Sequence, residues 1–446
     1  MERKTMVQEA VRVAWPAVLE SFFVAIAGLI DTMMVATLGS YAVAAVGLTQ
    51  QPKFVGLAVF FAINVAVSAL VARRQGEQRQ DHANTILLTA LLLTLILCTI
   101  VTVASLLLAD PLMKLAGSNS DTHESAVTYF QIIMGGTFFN VISLVINAAQ
   151  RGSGNTRIAM TTNVTSSIVN VLFNYLLIGG NLGFPKLGVA GAAIATVLGT
   201  VVACGMSVFS LFHKNSYLSY AWMSKMHFRP RMESCKKIMK LGSNMFVENI
   251  AMRVGFLATA LLAARLGTDA FAAHNVGMNV LGLGFSFADG MQVAAVALTG
   301  QSLGAGKKEQ ARKYGSICQH IGFGISVALS VILLAGGRWF YSLYFREEHI
   351  ISMGLLICRF ITVIVILQIS QIIYGGCLRA GGDVRYTLVA SLVSVTLIRT
   401  IVTLVFTLVV PLGLTGIWLG IFSDQMTRFL FMFFRFRQGK WVDIAM

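Results

Sequence analysis

The sequence predicts an all-α integral membrane protein, with twelve transmembrane helices in two pseudo-symmetric six-helix bundles that are parallel repeats of one another. Three observations carry this prediction. Of the 446 residues, 56% are hydrophobic and 12% charged, and the mean hydropathy is +0.75, far from the composition of water-soluble domains. Apolar stretches of the roughly 20 residues that a helix needs to cross a bilayer recur along the whole chain and leave no room for a large soluble domain. The second half of the chain repeats landmarks of the first at a spacing of 228 residues.

Charged and Gly- or Pro-containing breaks divide the apolar runs into twelve spans. They fall near 13–38, 48–72, 85–109, 126–149, 157–178 and 187–212 in the first half, and near 238–265, 276–300, 314–335, 352–376, 385–410 and 414–436 in the second. The first run carries Pro16, Glu20 and Asp31 and is too long for a cleaved signal peptide, so it is expected to remain as the first helix. Residues 1–212 form the expected N-lobe, 213–237 an inter-lobe linker and 238–446 the C-lobe.

Basic residues sort by side. Alternate connections and the span ends beside them hold 25 of the 34 Lys and Arg, among them Arg73, Arg74, Arg151, Lys214, Arg229, Lys307, Arg379 and Arg428, whereas the opposite side holds Lys114, Lys186, Arg265, Arg338, Arg346 and Arg359. The positive-inside rule then puts both termini and the linker in the cytoplasm of a bacterial-type plasma membrane. The net charge of +15 follows from that topology and from contact with anionic lipid, so nucleic acid is not an expected partner. Six cysteines are scattered through apolar runs without a CxxC pair or a neighbouring His cluster, which predicts neither a disulfide framework nor a metal site of that kind. LGAG at 303–306 reads as a helix stop before a basic loop, since a phosphate-binding loop would need a Lys-Ser/Thr pair and a preceding strand.

The repeat keeps its register over a long stretch. Leu38-Gly39 falls on Leu266-Gly267, Gly56 on Gly284, Gly76 on Gly304, and Arg151, Gly154 and Arg157 on Arg379, Gly382 and Arg385, after which the register slips by three near Pro185. Each copy holds an even number of spans, so the two run parallel about an axis along the membrane normal.

An ionisable residue at membrane depth is a functional hypothesis until a structural partner is found. Glu20 and Glu248 are equivalent under the repeat, and for them an ion-pairing or gating glutamate is the expectation. Asp31, Lys53, Arg253, Asp289 and Arg399 face Thr259, Leu281, Ala25, Phe61 and Val171 in the other copy and so have no charged counterpart. Such asymmetry suits a site at which one lobe alone senses an ion. Asp31 follows Glu20 by eleven residues, about 1100° of helical rotation, which puts both acids on one face of span 1. Lys53 enters span 2 from the side of Asp31 and could pair with it. His274, at the end of span 8, reads as a surface histidine.

The run WPAVLESFFVAIAGLIDTMMVATLGSYAVAAVGL, the TGQSLGAG after span 8 and the paired QRGSGNTR and LRAGGDVR resemble the multidrug and toxic compound extrusion (MATE) family along nearly the whole chain. The resemblance implies alternating access and efflux driven by Na⁺ or H⁺. By position, Asp31 matches the family's span 1 acid, and Asn170 and Asn174 match a span 5 pair of which the second is an acid in one branch. Glu248 looks like the span 7 acid of a cation site whose span 10 aspartate is here Gln368. The resemblance therefore implies ion coupling at Asp31, Asn170, Asn174, Glu248 and Gln368; Asp289 on span 8, an acid the family pattern does not show there, is the candidate replacement for the absent aspartate, with Na⁺ expected at Glu248 and Asp289. Glu20, Lys53, Arg253 and Arg399 are candidates for the substrate cleft or gating.

The expected function is secondary antiport of small cationic or lipophilic compounds by a single chain in lipid, with no cofactor beyond the coupling H⁺ or Na⁺. The alternative is a flippase or exporter of an anionic or lipid-linked precursor, kept open by Lys53, Arg253 and Arg399. No nucleophile with its base is recognisable, so an enzyme is not expected.

Overall fold

The computed structural model describes residues 3–213, 216–225 and 230–444; Lys214 and Arg229 of the expected linker lie outside them. The first repeat consists of α1 (Arg3–Ala36), α2 (Ser40–Gly76), α3 (Gln80–Leu107), α4 (His123–Gly135 continued by Thr137–Gly152), α5 (Thr156–Gly179) and α6 (Gly188–Ser210). The second consists of α7 (Met232–Ala264), α8 (Thr268–Gly304), α9 (Lys308–Ser342), α10 (Glu348–Ala380), α11 (Val384–Val409) and α12 (Leu414–Gln438). In hydrocarbon an unbonded N–H or C=O costs several kcal/mol, so helices that close their own hydrogen bonds are the form such a sequence can take.

Among the described residues nine helices are long and apolar enough to cross a membrane, and α4, bent by 47° at Gly136, makes a tenth. The remaining two, α5 and α12, have 24 and 25 residues, which is sufficient length. They are more polar because they carry Asn163, Asn170 and Asn174 in one case and Asp424, Gln425 and Arg428 in the other. Several helices run well past the apolar stretches read from the sequence: α1 begins at Arg3 and α9 at Lys308. Hydropathy marks the part of a helix that lies in hydrocarbon, whereas its hydrogen-bond ladder continues into the interface through Lys and Arg.

Two compact units result, one formed by Leu19–Ser243 and the other by Met1–Val18 with Asn244–Met446. The divisions fall inside α1 and α7, at nearly equivalent places in the two copies, rather than in the linker at 213–237. The first turns of α1 thereby join the second unit: Met6, Ala10, Val13 and Ala14 enter a core with Ala288, Met291 and Ala294 of α8, and a Cβ on Gly290 would meet the backbone of Val18 at 2.7 Å.

α11 departs from its counterpart α5. Leu392–Arg399 and Val405–Val409 are wound as π-helix, with five ordinary helical residues, Thr400–Leu404, between them. A π-turn takes in an extra residue and rotates all the side chains that follow it.

Helix contacts at the end of each repeat use the same device. Leu187 N donates to Leu177 O at 2.9 Å and Leu412 N to Phe406 O at 3.0 Å; four residues on, Gly191 and Gly416 lie against those same carbonyl groups. A Cβ would stand 2.6 Å from Leu177 O or 2.3 Å from Phe406 O. Glycine lets the two backbones approach, as small residues commonly do between helices in lipid. Gly191→Ala and Gly416→Ala are each expected to destabilise their unit by about 1–3 kcal/mol through overpacking, whereas Gly205→Ala, with open space around it, is expected to be neutral. Thermal unfolding of the solubilised variants checks this.

Candidate functional site

Three polar clusters interrupt the apolar interior. The first is midway along α1. Glu20, 6% exposed, accepts from Nη2 of Arg151 on the last turn of α4 and from Nδ2 of Asn163 on α5. The repeat holds the same arrangement 228 residues on. Glu248 on α7 accepts from Arg379 Nη2 at 2.8 Å and from Ser391 Oγ at 2.7 Å, and is 2% exposed. In both copies the second carboxylate oxygen and the arginine Nε are buried without a partner. Each clasp joins the first, fourth and fifth helices of its repeat and neutralises one buried charge with another.

The second cluster occupies the first unit only. Asp31 Oδ1 accepts from Asn174 Nδ2 at 2.5 Å, Asn174 lies 3.5 Å from Asn170 Oδ1, and Asn170 Nδ2 donates to Thr196 Oγ1 at 3.0 Å. The Tyr129 hydroxyl also bonds to Thr196. Asn170 and Asn174 are one helical turn apart on α5 and so share a face. Asn174 is fully buried and its Oδ1 has no partner. Lys53 acts on Asp31 electrostatically, but among the described residues no ion pair within 4.0 Å joins them; its ammonium lies 5.6 Å from the Phe54 ring centre.

The third cluster lies in the second unit around Arg399, at the end of the first π-wound segment. Arg399 Nε donates to Thr259 Oγ1 at 2.9 Å and Nη1 to Asp424 Oδ2 at 3.4 Å, and the guanidinium lies 4.7 Å from the Phe256 ring centre. Arg428 donates to both oxygens of Asp424 at 2.9 Å.

Of the residues expected to act together, Asp31, Asn170 and Asn174 are brought into one network. Glu248 is bonded to Arg379 and Ser391, and Asp289 is not among its partners; Asp289 is exposed on α8 and Arg253 half-buried on α7. Gln368 is fully buried, its Oε1 2.7 Å from where a Cβ on Gly284 would stand, and neither polar atom of its amide has a partner. Among the described residues no group of three or more His, Cys, Asp or Glu is arranged to hold a metal ion.

Two expectations need correction. His274 is 2% exposed rather than at the surface, because Trp418 of α12 covers it, with ring centres 5.6 Å apart. Arg428, counted among the basic residues of the connections, is 4% exposed and is matched by Asp424 one turn earlier. The i, i+4 spacing of Asp424 and Arg428 was a usable signal, as was the repeat equivalence of Arg151 with Arg379. Nothing in the pattern singled out Tyr129 or Thr196.

Buried polar clusters in a duplicated bundle of membrane helices define a multi-pass membrane transporter. Comparison with known proteins narrows the class: a model of the MatE family matches residues 16–176 and again 245–405. The chain belongs to the MatE family, each repeat matching the same model. It is 26% identical to the probable multidrug resistance protein NorM of Thermotoga maritima, over 97% of this chain and 93% of that one, and 22% identical to the uncharacterized transporter YisQ of Bacillus subtilis, over 97% and 94%. Among solved structures, an outward-facing multidrug resistance MATE family transporter of the MOP superfamily superposes with a TM-score of 0.89 at 25% identity, covering 98% of this chain and 97% of that one. A MOP superfamily transporter from Pyrococcus furiosus superposes with a TM-score of 0.90 at 23% identity, covering 99% and 97%.

Removing one side of a buried clasp leaves the other charge unmatched, which costs about 3–5 kcal/mol. Arg151→Gln and Arg379→Gln are therefore expected to destabilise strongly, and the double variant Glu20→Gln/Arg151→Gln to recover most of the loss. A double-mutant cycle on thermal unfolding measures the coupling; additive losses would show that the two side chains do not act as a pair.

Proposed function

We propose that the chain is a secondary active antiporter that exports small cationic or lipophilic compounds in exchange for H⁺ or Na⁺ by alternating access, with Asp31 as the coupling acid. The observation that carries this reading is an unmet hydrogen bond: the carboxylate of Asp31 takes the amide N–H of Asn174, while the buried Oδ1 of that amide has no donor. A proton on Asp31 supplies a donor for an amide oxygen. A Na⁺ supplies a positive charge for the same oxygen and for the carboxylate, with the oxygens of Asn170 and Thr196 close by as further hard ligands. An ionised carboxylate alone does neither, and a buried polar atom left unbonded costs about 1–3 kcal/mol.

Ion arrival and departure thus change how well α1 packs on α5 and α6. Coupling requires that the ion bind one conformation of the transporter better than the other, and a site whose own hydrogen bonds depend on the ion has that property. The second repeat has Thr259 where the first has Asp31, so one acid per chain is involved. Similarity to probable multidrug resistance proteins NorM supports the cargo class. The bias of Lys and Arg to one side supports a bacterial-type plasma membrane with both termini in the cytoplasm, the chain acting as a monomer among lipids.

Ethidium efflux from proteoliposomes under imposed pH or Na⁺ gradients tests the reading. Wild type is expected to follow one of the gradients, and Asp31→Asn to lose roughly ten- to a hundred-fold of the gradient-driven rate, the range of a coupling free energy of about 1–3 kcal/mol. Asn174→Leu keeps the acid but removes its amide partner, and is expected to weaken coupling without abolishing cargo binding. If neither gradient moves a cation through wild type, drug efflux is the wrong function and anionic or lipid cargo takes its place.

A further inference from the structure

Arg399 is 1% exposed, at a position where the first repeat has Val171. Its two partners on α12 are equally particular to one copy. In the slipped register of the last helix, Asp424 and Arg428 fall on Gly199 and Ala203. The fold is built in the first unit with none of these three charges, so it does not need them, whereas it repeats both glutamate clasps. A charged cluster kept at membrane depth in one copy alone calls for a ligand or a partner.

The charge balance excludes a simple internal partner. Arg428 closes on Asp424 with bonds to both oxygens at 2.9 Å, while Arg399 reaches the same carboxylate through a single 3.4 Å contact. Two guanidiniums share one carboxylate, which leaves one buried positive charge over. Three other carboxylates of the unit are held elsewhere or exposed: Glu248 is held by Arg379, Asp383 by Arg435 at 2.6 Å, and Asp289 is exposed on α8. The remaining bonded group is the neutral hydroxyl of Thr259.

Unsatisfied buried groups also occur in this unit. His274 lies within electrostatic range of Arg399 and its Nδ1 has no partner; the adjoining Trp418 has an indole Nε1 without an acceptor, and Thr403, one turn beyond Arg399, has an unbonded hydroxyl. An indole N–H is a donor only. A buried guanidinium in excess, in a unit that also holds a buried indole N–H without an acceptor and a hydroxyl without a partner, is the chemistry of an anion site. The π-wound segment that ends at Arg399 adds to this, since such windings recur at functional sites.

We propose that Arg399 forms, with Thr259, His274 and Trp418, a site in the second unit for one monovalent anion, either a halide or the carboxylate of a transported compound. It is independent of coupling at Asp31, which belongs to the other unit.

The test uses the full-length solubilised protein at constant ionic strength and constant Na⁺. Methanesulfonate, neither a halide nor a carboxylate, is replaced stepwise by chloride, or by benzoate as a carboxylate probe, while the unfolding temperature is followed. Bromide quenching of the Trp418 signal is taken as the difference between wild type and Trp418→Phe. A saturable rise in unfolding temperature and saturable quenching are expected in wild type. Arg399→Gln should lose both, and Arg399→Lys, which keeps the charge but not the fork, should need roughly tenfold more anion. A response to chloride identifies a halide site, and a response to benzoate alone identifies the carboxylate of a cargo. If Arg399→Gln does not fold, Arg399→Lys and wild type still decide the matter. An unfolding temperature indifferent to every anion, or equal anion dependence in wild type and both Arg399 variants, overturns the proposal.

Discussion

A charge at membrane depth has to be matched by groups of its own helix bundle, because lipid offers neither water nor counter-ions. The polar interior of this protein is organised by that constraint. Glu20 with Arg151 and Glu248 with Arg379 meet it in the same way in both units, each tying the first helix of a repeat to its fourth and fifth. Hydrophobic contact provides little orientation between helices in lipid, so a hydrogen-bonded carboxylate that accepts only from particular positions on two neighbours supplies a register.

Duplication separates what the fold needs from what one copy has acquired. Groups that recur in both copies, the two clasps and the Gly191 and Gly416 contacts with a neighbouring carbonyl, belong to the architecture. Groups that do not recur mark where the copies have taken different work. On the same pair of helices, first and fifth, the first unit has Asp31 bonded to Asn174 and the second has Thr259 bonded to Arg399. The ionised partner has moved from one helix to the other and has changed sign.

Much of this was legible in the sequence because it rests on periodicity and spacing. The twelve spans, the repeat and the equivalence of Glu20 with Glu248 follow from hydropathy and from a self-match that needs no coordinates. The grouping of Asp31 with Asn170 and Asn174 came from a resemblance and is visible in the structure as one network. What escaped depends on rotation about a helix axis. Arg151 and Arg379 stand near helix ends and, like Arg428 within α12, read as interfacial bases, yet each meets a buried carboxylate, whereas Asp289, on an apolar span, is exposed. A hydropathy window averages over all faces and cannot make that distinction, and the π-wound turns of α11 shift the faces of a helix without altering its composition.

The π winding links these observations. The bond from Leu187 ends on Leu177 and the equivalent bond from Leu412 ends on Phe406, so α11 reaches its terminal contact with one residue more than the repeat spacing provides. A regular helix of that sequence would place the end of α11 out of register with the Gly416 contact. Winding the excess as π-helix absorbs the extra residue and preserves the contact between α11 and α12. It also places Arg399 at the exit of the wider turn, facing Thr259 and Asp424 rather than lipid. The extra residue that breaks the symmetry of the copies and the charge peculiar to the second unit thus fall in the same helix, α11.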